Sequence, residues 1–458
     1  MTLTREDPEL ARPIESPTQL VEFFRKAETP RAEWRVGTEH EKVGLYYDSL
    51  EPLPYEGERG IAALLRALER EHDFAPLLDE GRLVGLERDG ATITLEPGGQ
   101  LELSGVPFSS IHETCREFQG HLALMKHVSE RFGMVWLGLG IHPLAKLEEI
   151  PRMPRSRYTI MRDFLGGRGE LALEMMHATG SVQVNLDFAS EADLARKMRV
   201  ALALSPVLTA LYANSSISEG APNGFLSRRA WIWRHTAPAR CGLLPFAFSP
   251  EFIEGSAYRA YAKWALDVPM IFIVRGGAHR PMRGRTFREF LAEGAGGEPA
   301  TLADWNLHLT SLFPEVRLKR VLEVRGCDAV PPGLVCGLPA FWKGLLYDDD
   351  SLRRAWELVG GWSFDAVDRL HAEVARRALR ALTPSGPLLE ICRTVLDLAA
   401  AGLRRMDVRN RFGEDERLFL EPLYELLERR ASPGQHLIER WEGAWQRRVD
   451  RLIEYSRY

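Results

Sequence analysis

The sequence predicts an α+β fold, an antiparallel sheet wrapped by helices with a helical C-terminal region. Two observations predict it. Several stretches alternate apolar and polar residues with the period of a strand, and from about Asp349 onward the apolar spacing is helical to the end. A third bounds it: 458 residues, 45% hydrophobic and 27% charged, form an ordinary globular mixture that can bury a sizeable core. On length alone the chain allows about three average domains or one large domain with helical additions.

Trp34–Tyr47, WRVGTEHEKVGLYY, reads as a strand. Side chains alternate faces along a strand, so Glu39 and Glu41 point the same way. Two carboxylates on one face repel and are costly to bury without a positive partner. A hard divalent cation with oxygen ligands would satisfy them; the alternative is a solvated edge strand.

A short amphipathic helix at 18–27 precedes this strand, and a helix at 61–71 follows it, with Ile61, Leu64, Leu65 and Leu68 on one face. Residues 82–86 and 91–95 read as a hairpin turning at Asp89-Gly90. In TITLEPGGQLELS (92–104), Pro97-Gly98-Gly99 interrupts the strand as a turn or bulge. Glu96 and Glu102 share a cleft if that interruption preserves their facing.

Residues 109–132 form a long helix entered at Ser109-Ser110 and stopped at Gly133, and 134–141 a buried strand. Residues 157–165 and 170–176 are helical, separated by Gly166-Gly167. SVQVNLDF (181–188) is the cleanest strand, with Gln183 and Asn185 on its polar face. An amphipathic helix, 191–212, follows from a Ser190 cap. Residues 214–250, rich in Gly, Pro, Ser and Trp, read as irregular, the kind of segment where binding groups concentrate. PMIFIVR (269–275) reads as a buried-type strand and 287–291 as the start of a short helix.

EVRLKRVLEVR (315–325) reads as one more alternating strand, with Arg317, Lys319, Glu323 and Arg325 on its polar face. The final helices are expected at 352–358, 364–382, 388–405, 414–430 and 435–455, with Pro384 and Pro433-Gly434 between pieces.

Four strands thus present polar faces: Glu39/Glu41, Glu96/Glu102, Gln183/Asn185 and Glu323/Arg325. Combined on one sheet, they would hold divalent cations and, through them, a polyphosphate, with Arg325 making a charge-assisted contact to phosphate. That is the layout phosphoryl transfer requires. Other nucleotide, metal and nucleophile signatures do not occur in the sequence: no GxxxxGK[ST] loop, no GxGxxG after a strand, no HExxH (Gly44 stands where the second His would be) and no GxSxG.

GTEHEKVG (37–44), ITLEPGGQLELSG (93–105), SVQVNLDFASEADLARK (181–197) and PNGFLSRRAWIW (222–233) resemble the plant-type glutamate–cysteine ligases found in plants and many bacteria. So do ALDVPM (265–270), HLTSLFPEVRLKRVLEVRGCD (308–328) and LPAFWKGLLYD (338–348). The resemblance runs from about Trp34 to the C-terminal helices. It implies a glutamine-synthetase-like curved antiparallel sheet lined by carboxylates, in one catalytic unit spanning 1–458 with residues 349–458 packed on it as a helical region. It also implies the reaction. The γ-carboxylate of L-glutamate takes the γ-phosphoryl group of ATP, with Mg²⁺ as cofactor, and the amine of L-cysteine displaces phosphate from γ-glutamyl phosphate to give γ-glutamylcysteine, the first step of glutathione synthesis.

The same resemblance implies that Glu39, Glu41, Glu102 and Glu323 hold Mg²⁺, with Glu96 a further candidate. Gln183 sits where related ligases place a histidine, as a direct or water-mediated ligand. Arg325 is implied on the transferring phosphate, with Lys319 and Asn185 beside the nucleotide. Arg229 is implied to clamp the glutamate carboxylate, with Trp233 lining its pocket. A base is not marked; Asp187 or a metal-bound carboxylate are the candidates. Cys115 and Cys336, in IHETC and LVCGLPAFW, match a family pair that can form a regulatory disulfide, the alternative being two free buried thiols.

Composition sets further expectations. The net charge of −5 argues against nucleic acid. No apolar run is long enough to span a bilayer. The acidic, polar first ten residues lack signal- and transit-peptide character, and the five cysteines form no CxxC pair, so a cytoplasmic location is expected. The oligomeric expectation is monomer or homodimer.

Overall fold

The computed structural model describes residues 9–458, so most of the N-terminal stretch read for a leader lies outside the described residues. A large antiparallel sheet organises the chain. Its strands are β1 (Val36–Tyr46), β2 (Ala75–Asp79), β3 (Arg82–Arg88), β4 (Ala91–Leu95), β5 (Leu101–Ser104), β6 (Met134–Leu137), β7 (Ser181–Leu186), β8 (Val316–Leu318) and β9 (Leu322–Asp328). Their order is β8-β9-β7-β1-β5-β4-β3-β2, and β6 pairs with the far end of β1. Chain-distant strands meet at the centre: β7 and β5 flank the first half of β1, and β9 lies beyond β7.

The local signals act as their chemistry demands. Asp89 and Gly90 both take positive φ, closing the β3–β4 hairpin as the sequence predicts. Pro97-Gly98-Gly99 reverses the chain completely, so β4 and β5 are antiparallel neighbours with Thr94 opposite Glu102. Gly98 has no alternative there, because a Cβ would sit 2.0 Å from the His177 carbonyl oxygen. Ser110 caps the Ile111–Glu130 helix and Ser190 caps Glu191–Leu211 through side-chain oxygens that accept backbone N–H groups.

Four expectations are corrected. Residues 315–325 are a hairpin, β8 and β9 joined by a turn, with Arg317 directly opposite Glu323. Cross-strand partners share a face, as i, i+2 residues do, so the polar grouping survives the change of topology. The Glu191–Leu211 helix is buried nearly all round, because it runs behind the sheet and is itself covered by the C-terminal helices. The 214–250 stretch contains a helix, Arg228–Arg234, started by the Ser227 hydroxyl accepting from the Ala230 N–H. The last expected helix is two, Pro433–Glu442 and Val449–Ser456, broken where Gly443 ends the first and Gln446 and Arg447 take positive φ. In addition, the 269–275 strand, Phe272–Arg275, forms a separate two-stranded ribbon outside the main sheet.

The core lies behind the sheet, where Val182, Val184, Leu186, Leu322 and Val324 pack on the Glu191–Leu211 and Gly337–Leu346 helices. The C-terminal helices Phe364–Arg377 and Leu388–Met406 join that same apolar cluster. Among the described residues, no helix is long and apolar enough to cross a membrane.

Candidate active site

Strand register builds the site. Glu41 stands directly opposite Glu102, Glu39 opposite Gln183, and Glu323 opposite both Asn185 and Arg317. Directly opposed side chains on one face have Cβ atoms about 5 Å apart. Residues scattered over nearly three hundred positions thereby become one polar lattice. Its centre is a cleft of about 120 Å³ that includes Glu39, Glu41, Glu96, Glu102, Lys319 and Arg325 in its walls, with Gln183 between. A recess of about 80 Å³ adjoins it, sharing Glu41, Glu96 and Arg325 and adding Arg229 and Trp233.

The carboxylates are crowded and largely dry. Burial first, and then repulsion from Glu102, push Glu41 up to about 7, against the pull of Arg229 and Arg325. The Ser181 N–H donates to Glu41 at 2.7 Å. Burial pushes Glu96 up to about 8, with Glu102 and Glu41 adding to the shift. At Glu102 burial works to raise the pKa, while hydrogen bonds from Ser104 and from the Glu96 carboxyl, with the charge of Arg157, pull it down. Glu96 and Glu102 thus pull each other's pKa values in opposite directions, as close carboxyls do.

Arg325 crosses the cleft. Its Nη1 donates to Gln183 Oε1 at 2.5 Å and also to Glu323. Its backbone N–H donates to the Glu315 carbonyl at 3.0 Å. Glu323 lies beneath it, fully buried and held by Arg317 at 2.6 Å, by Lys319 at 2.7 Å and by Arg325. Burial would raise the Glu323 pKa, but the three cations outweigh it and hold it well below the carboxylate range. Both Glu323 oxygens are therefore engaged by the chain's own cations, which is not the open-handed carboxylate expected of a metal ligand. Arg317, which sequence reasoning left without a role, also donates to the Thr310 and Leu312 carbonyls, each at 2.9 Å. Arg317→Met should destabilise the protein by about 3 kcal/mol in urea unfolding, since removing one partner of a buried pair leaves the other undercompensated. An unchanged unfolding midpoint would mean that Lys319 and Arg325 suffice.

Arg229 is positioned from the far end of β9. Buried Asp328 accepts from the Asn214 N–H at 2.8 Å, the Ser215 hydroxyl at 2.6 Å and the Ser227 hydroxyl at 2.9 Å. This knot fixes the start of the Arg228–Arg234 helix, and the Arg229 N–H donates to Ser215 Oγ at 3.0 Å. The Arg229 guanidinium lies 5.5 Å from the Trp233 ring centroid and donates through Nη2 to the Arg325 carbonyl at 3.0 Å. Arg229 Nε and Trp233 Nε1 are buried donors with no partner in the chain. Both residues line the recess, so a ligand's oxygen atoms would complete them.

Two expected residues stand elsewhere. Asn185 donates to Glu39 at 3.0 Å, orienting that carboxylate from the cleft's margin. Asp187 turns away and accepts from the Arg35 N–H at 2.7 Å, so it is not placed as a base in the cleft. Sequence reading missed Arg157, Tyr158, Met161 and Phe313, which also line the cleft. A helix at 157–165 is legible, but only the folded chain brings its Arg157, Tyr158 and Met161 to the carboxylates.

The full match of a family model decides the assignment. The model for glutamate-cysteine ligase family 2 covers residues 35–454. The chain belongs to this family. The ligase is 41% identical over 442 residues to chloroplastic glutamate–cysteine ligase of Medicago truncatula, covering 96% of this chain and 84% of that protein. The Arabidopsis thaliana chloroplastic enzyme is 41% identical over 459 residues, covering 100% and 83% respectively. A Francisella tularensis glutamate–cysteine ligase, solved in complex with AMP, shares the fold at a TM-score of 0.54 and 13% identity, covering 92% of this chain and 87% of that one. The chain is thus an enzyme that joins glutamate to cysteine. The chloroplastic relatives overturn the cytoplasmic expectation. Reduced cysteines and an acidic start describe a solvent chemistry, and they do not specify an address.

In the ligase, Cys115 and Cys336 are adjacent free thiols, both buried. A hydrogen bond between them lowers the Cys115 pKa and raises that of Cys336. Among the described residues, no three His, Cys, Asp or Glu side chains already converge as an ion's ligand shell. The donor set nevertheless suits a hard cation: Glu39, Glu41, Glu96 and Glu102 line one cleft, and all candidate ligands are oxygens.

Proposed function

We propose that the ligation proceeds through γ-glutamyl phosphate, at the expense of ATP, on a sheet of the glutamine-synthetase-like type within one catalytic unit. The observation that carries this reading is Arg325 anchored through Nη1 to both Glu323 and Gln183 in the wall of the cleft that Glu41 also lines. A guanidinium so held is ready for phosphate without reorganising. The recess supports the other substrate. Arg229 Nε and Trp233 Nε1 offer donors to a glutamate carboxylate, and its γ-carboxylate would then extend toward Arg325.

Chemically, the γ-carboxylate oxygen attacks the γ-phosphorus of ATP and ADP departs. The cysteine amine next attacks the acyl carbon of γ-glutamyl phosphate. Inorganic phosphate departs, the amine loses a proton, and the amide remains. Phosphorylation supplies the leaving group a carboxylate lacks. Glu39, Glu41, Glu96 and Glu102 would hold Mg²⁺, which when bound would screen the repulsion between two anions that must meet. Glu323 is reassigned from metal ligand to organiser of Arg317, Lys319 and Arg325. For a nucleotide to enter, Lys319 and the carboxylates must turn outward from their present contacts.

The test is ADP release by the purified protein with ATP, Mg²⁺ and glutamate, without cysteine, with it, and with other amines in its place. Release dependent on both glutamate and cysteine supports the reading. Release with another amine alone would keep the chemistry and change the acceptor. No release in any combination would remove it.

Cation entry should displace protons. Adding Mg²⁺ at pH 7.0–7.5 should release about one proton per chain, because Glu96 at about 8 and Glu41 at about 7 are partly protonated there. Release should fall toward zero by roughly pH 9.5, above both values, and should shrink in Glu96→Gln. Weakly buffered indicator measurements would detect it; release that ignores pH and Glu96 would sink the assignment.

The adjoining thiols support a reversible disulfide. Diamide treatment should remove two titratable thiols from the unfolded parent and none from Cys115→Ser, counted before and after. Equal loss in both would place the oxidation elsewhere.

A further inference from the structure

Behind the catalytic strand lies a second cavity. Its volume is about 320 Å³, larger than either part of the catalytic cleft and within the range of small-molecule sites. It is enclosed by β1, β6, the Ile111–Glu130 helix and the C-terminal residues Arg457 and Tyr458. On β1, Lys42 points to the face opposite Glu41, so the strand that presents carboxylates to the cleft presents a lysine here. Lys42 is fully buried, yet its amine makes one bond at the limit of hydrogen-bonding range, 3.4 Å to the His40 carbonyl. No described carboxylate lies within ion-pair distance of it. A lysine amine needs acceptors for its N–H groups, and a buried one left with a single long bond is costly. The remaining wall divides by chemistry. Met125, Met134 and Trp136 are apolar and nearly sealed from water, while Lys126 and Arg457 are exposed at the rim. Basic side chains outnumber Glu130, the one acidic side chain in the lining, and Arg457 at the rim pairs with Glu454 at 3.0 Å.

We propose that this cavity is a second small-molecule site that takes an amphipathic monocarboxylate, the carboxylate meeting Lys42 and Lys126 and the apolar body lying against Met125, Met134 and Trp136. The donors of Lys42 lack acceptors, and a carboxylate supplies two oxygens. The methionines provide an adaptable apolar surface, and Trp136 is already oriented by its Nε1 donating to Ser129 Oγ at 2.8 Å. None of the substrates of the ligation has this character, since each combines a charged amine or a polyphosphate with little apolar surface. The site is therefore independent of the reading proposed for the cleft.

The experiment uses the full-length protein with 3-phenylpropionate, its amide and 3-phenylpropylamine as probes, titrated by calorimetry in the presence of saturating L-glutamate. The expected result is saturable binding of the carboxylate, with the amide and amine at least tenfold weaker. Lys42→Met and Lys126→Glu should each weaken the carboxylate by about tenfold. Because Lys42→Met removes a buried residue, the exposed Lys126→Glu variant serves if it fails to fold. A crystal soaked with the 4-bromo derivative should place bromine beside Met125 and Trp136. Equal affinity for the three probes, loss of binding when glutamate is added, insensitivity to Lys126→Glu, or bromine in the catalytic cleft would each overturn the proposal.

Discussion

Glu41→Gln should abolish γ-glutamylcysteine formation, by at least about a thousandfold in kcat, without costing the protein its fold. Gln keeps the shape and can still accept the Ser181 N–H that Glu41 accepts at 2.7 Å. What it removes is the charge facing Arg325 and Arg229 in the shared wall of cleft and recess. Metal-free stability follows from the shift to about 7, well above the unfolded value of about 4.3. Between those values the native state binds more protons than the unfolded state, so Glu41 costs stability progressively as pH rises through the window. Gln has no such cost. The melting temperature of the variant in chelator should match the parent's near pH 4.5, rise relative to it between roughly pH 5 and 7, and stay offset above. Full turnover in the variant would remove Glu41 from the cation set. A melting temperature that falls relative to the parent with rising pH would reverse the electrostatic account.

Arg325→Lys should lower kcat by about a hundredfold while changing the KM for glutamate much less. The guanidinium binds Gln183 and Glu323 through Nη1 alone, and as a planar fork it keeps further donors for the cleft it lines. A lysine ammonium is one point charge, and the adjacent Glu323 would draw it down beside Lys319. Net charge is unchanged, so a loss would report geometry, and steady-state kinetics separate it from weakened binding. A KM effect with kcat intact would move Arg325 from the transferring phosphate to ground-state binding.

The helices and hairpins of this chain are legible because their determinants are local. Ser110 and Ser190 cap their helices, Asp89-Gly90 turns a hairpin, and Gly98 permits a close approach that no side chain allows. Helix burial was less legible. Apolar residues on several faces of Glu191–Leu211 declare a buried helix only when its neighbours are known. The β8–β9 hairpin reads as one strand because Arg317 and Glu323 share a face in either topology.

By itself the sequence determined the facing of the site. Period-two alternation commits Glu39 with Glu41, and Gln183 with Asn185, to common faces, whatever the strands later pair with. Family motifs over nearly the whole chain then named the chemistry. Only the tertiary structure decided which charges meet. Register placed Glu41 opposite Glu102, and with burial pushed it to about 7. The hairpin surrounded Glu323 with three cations, Arg317, Lys319 and Arg325. The Asp328 knot carried Arg229 from a segment that reads as irregular to the recess. The physical reason is range. Alternation and capping are settled by bonds between near neighbours in the chain, whereas the charge state of a carboxylate is settled by burial and by ions that arrive from distant segments.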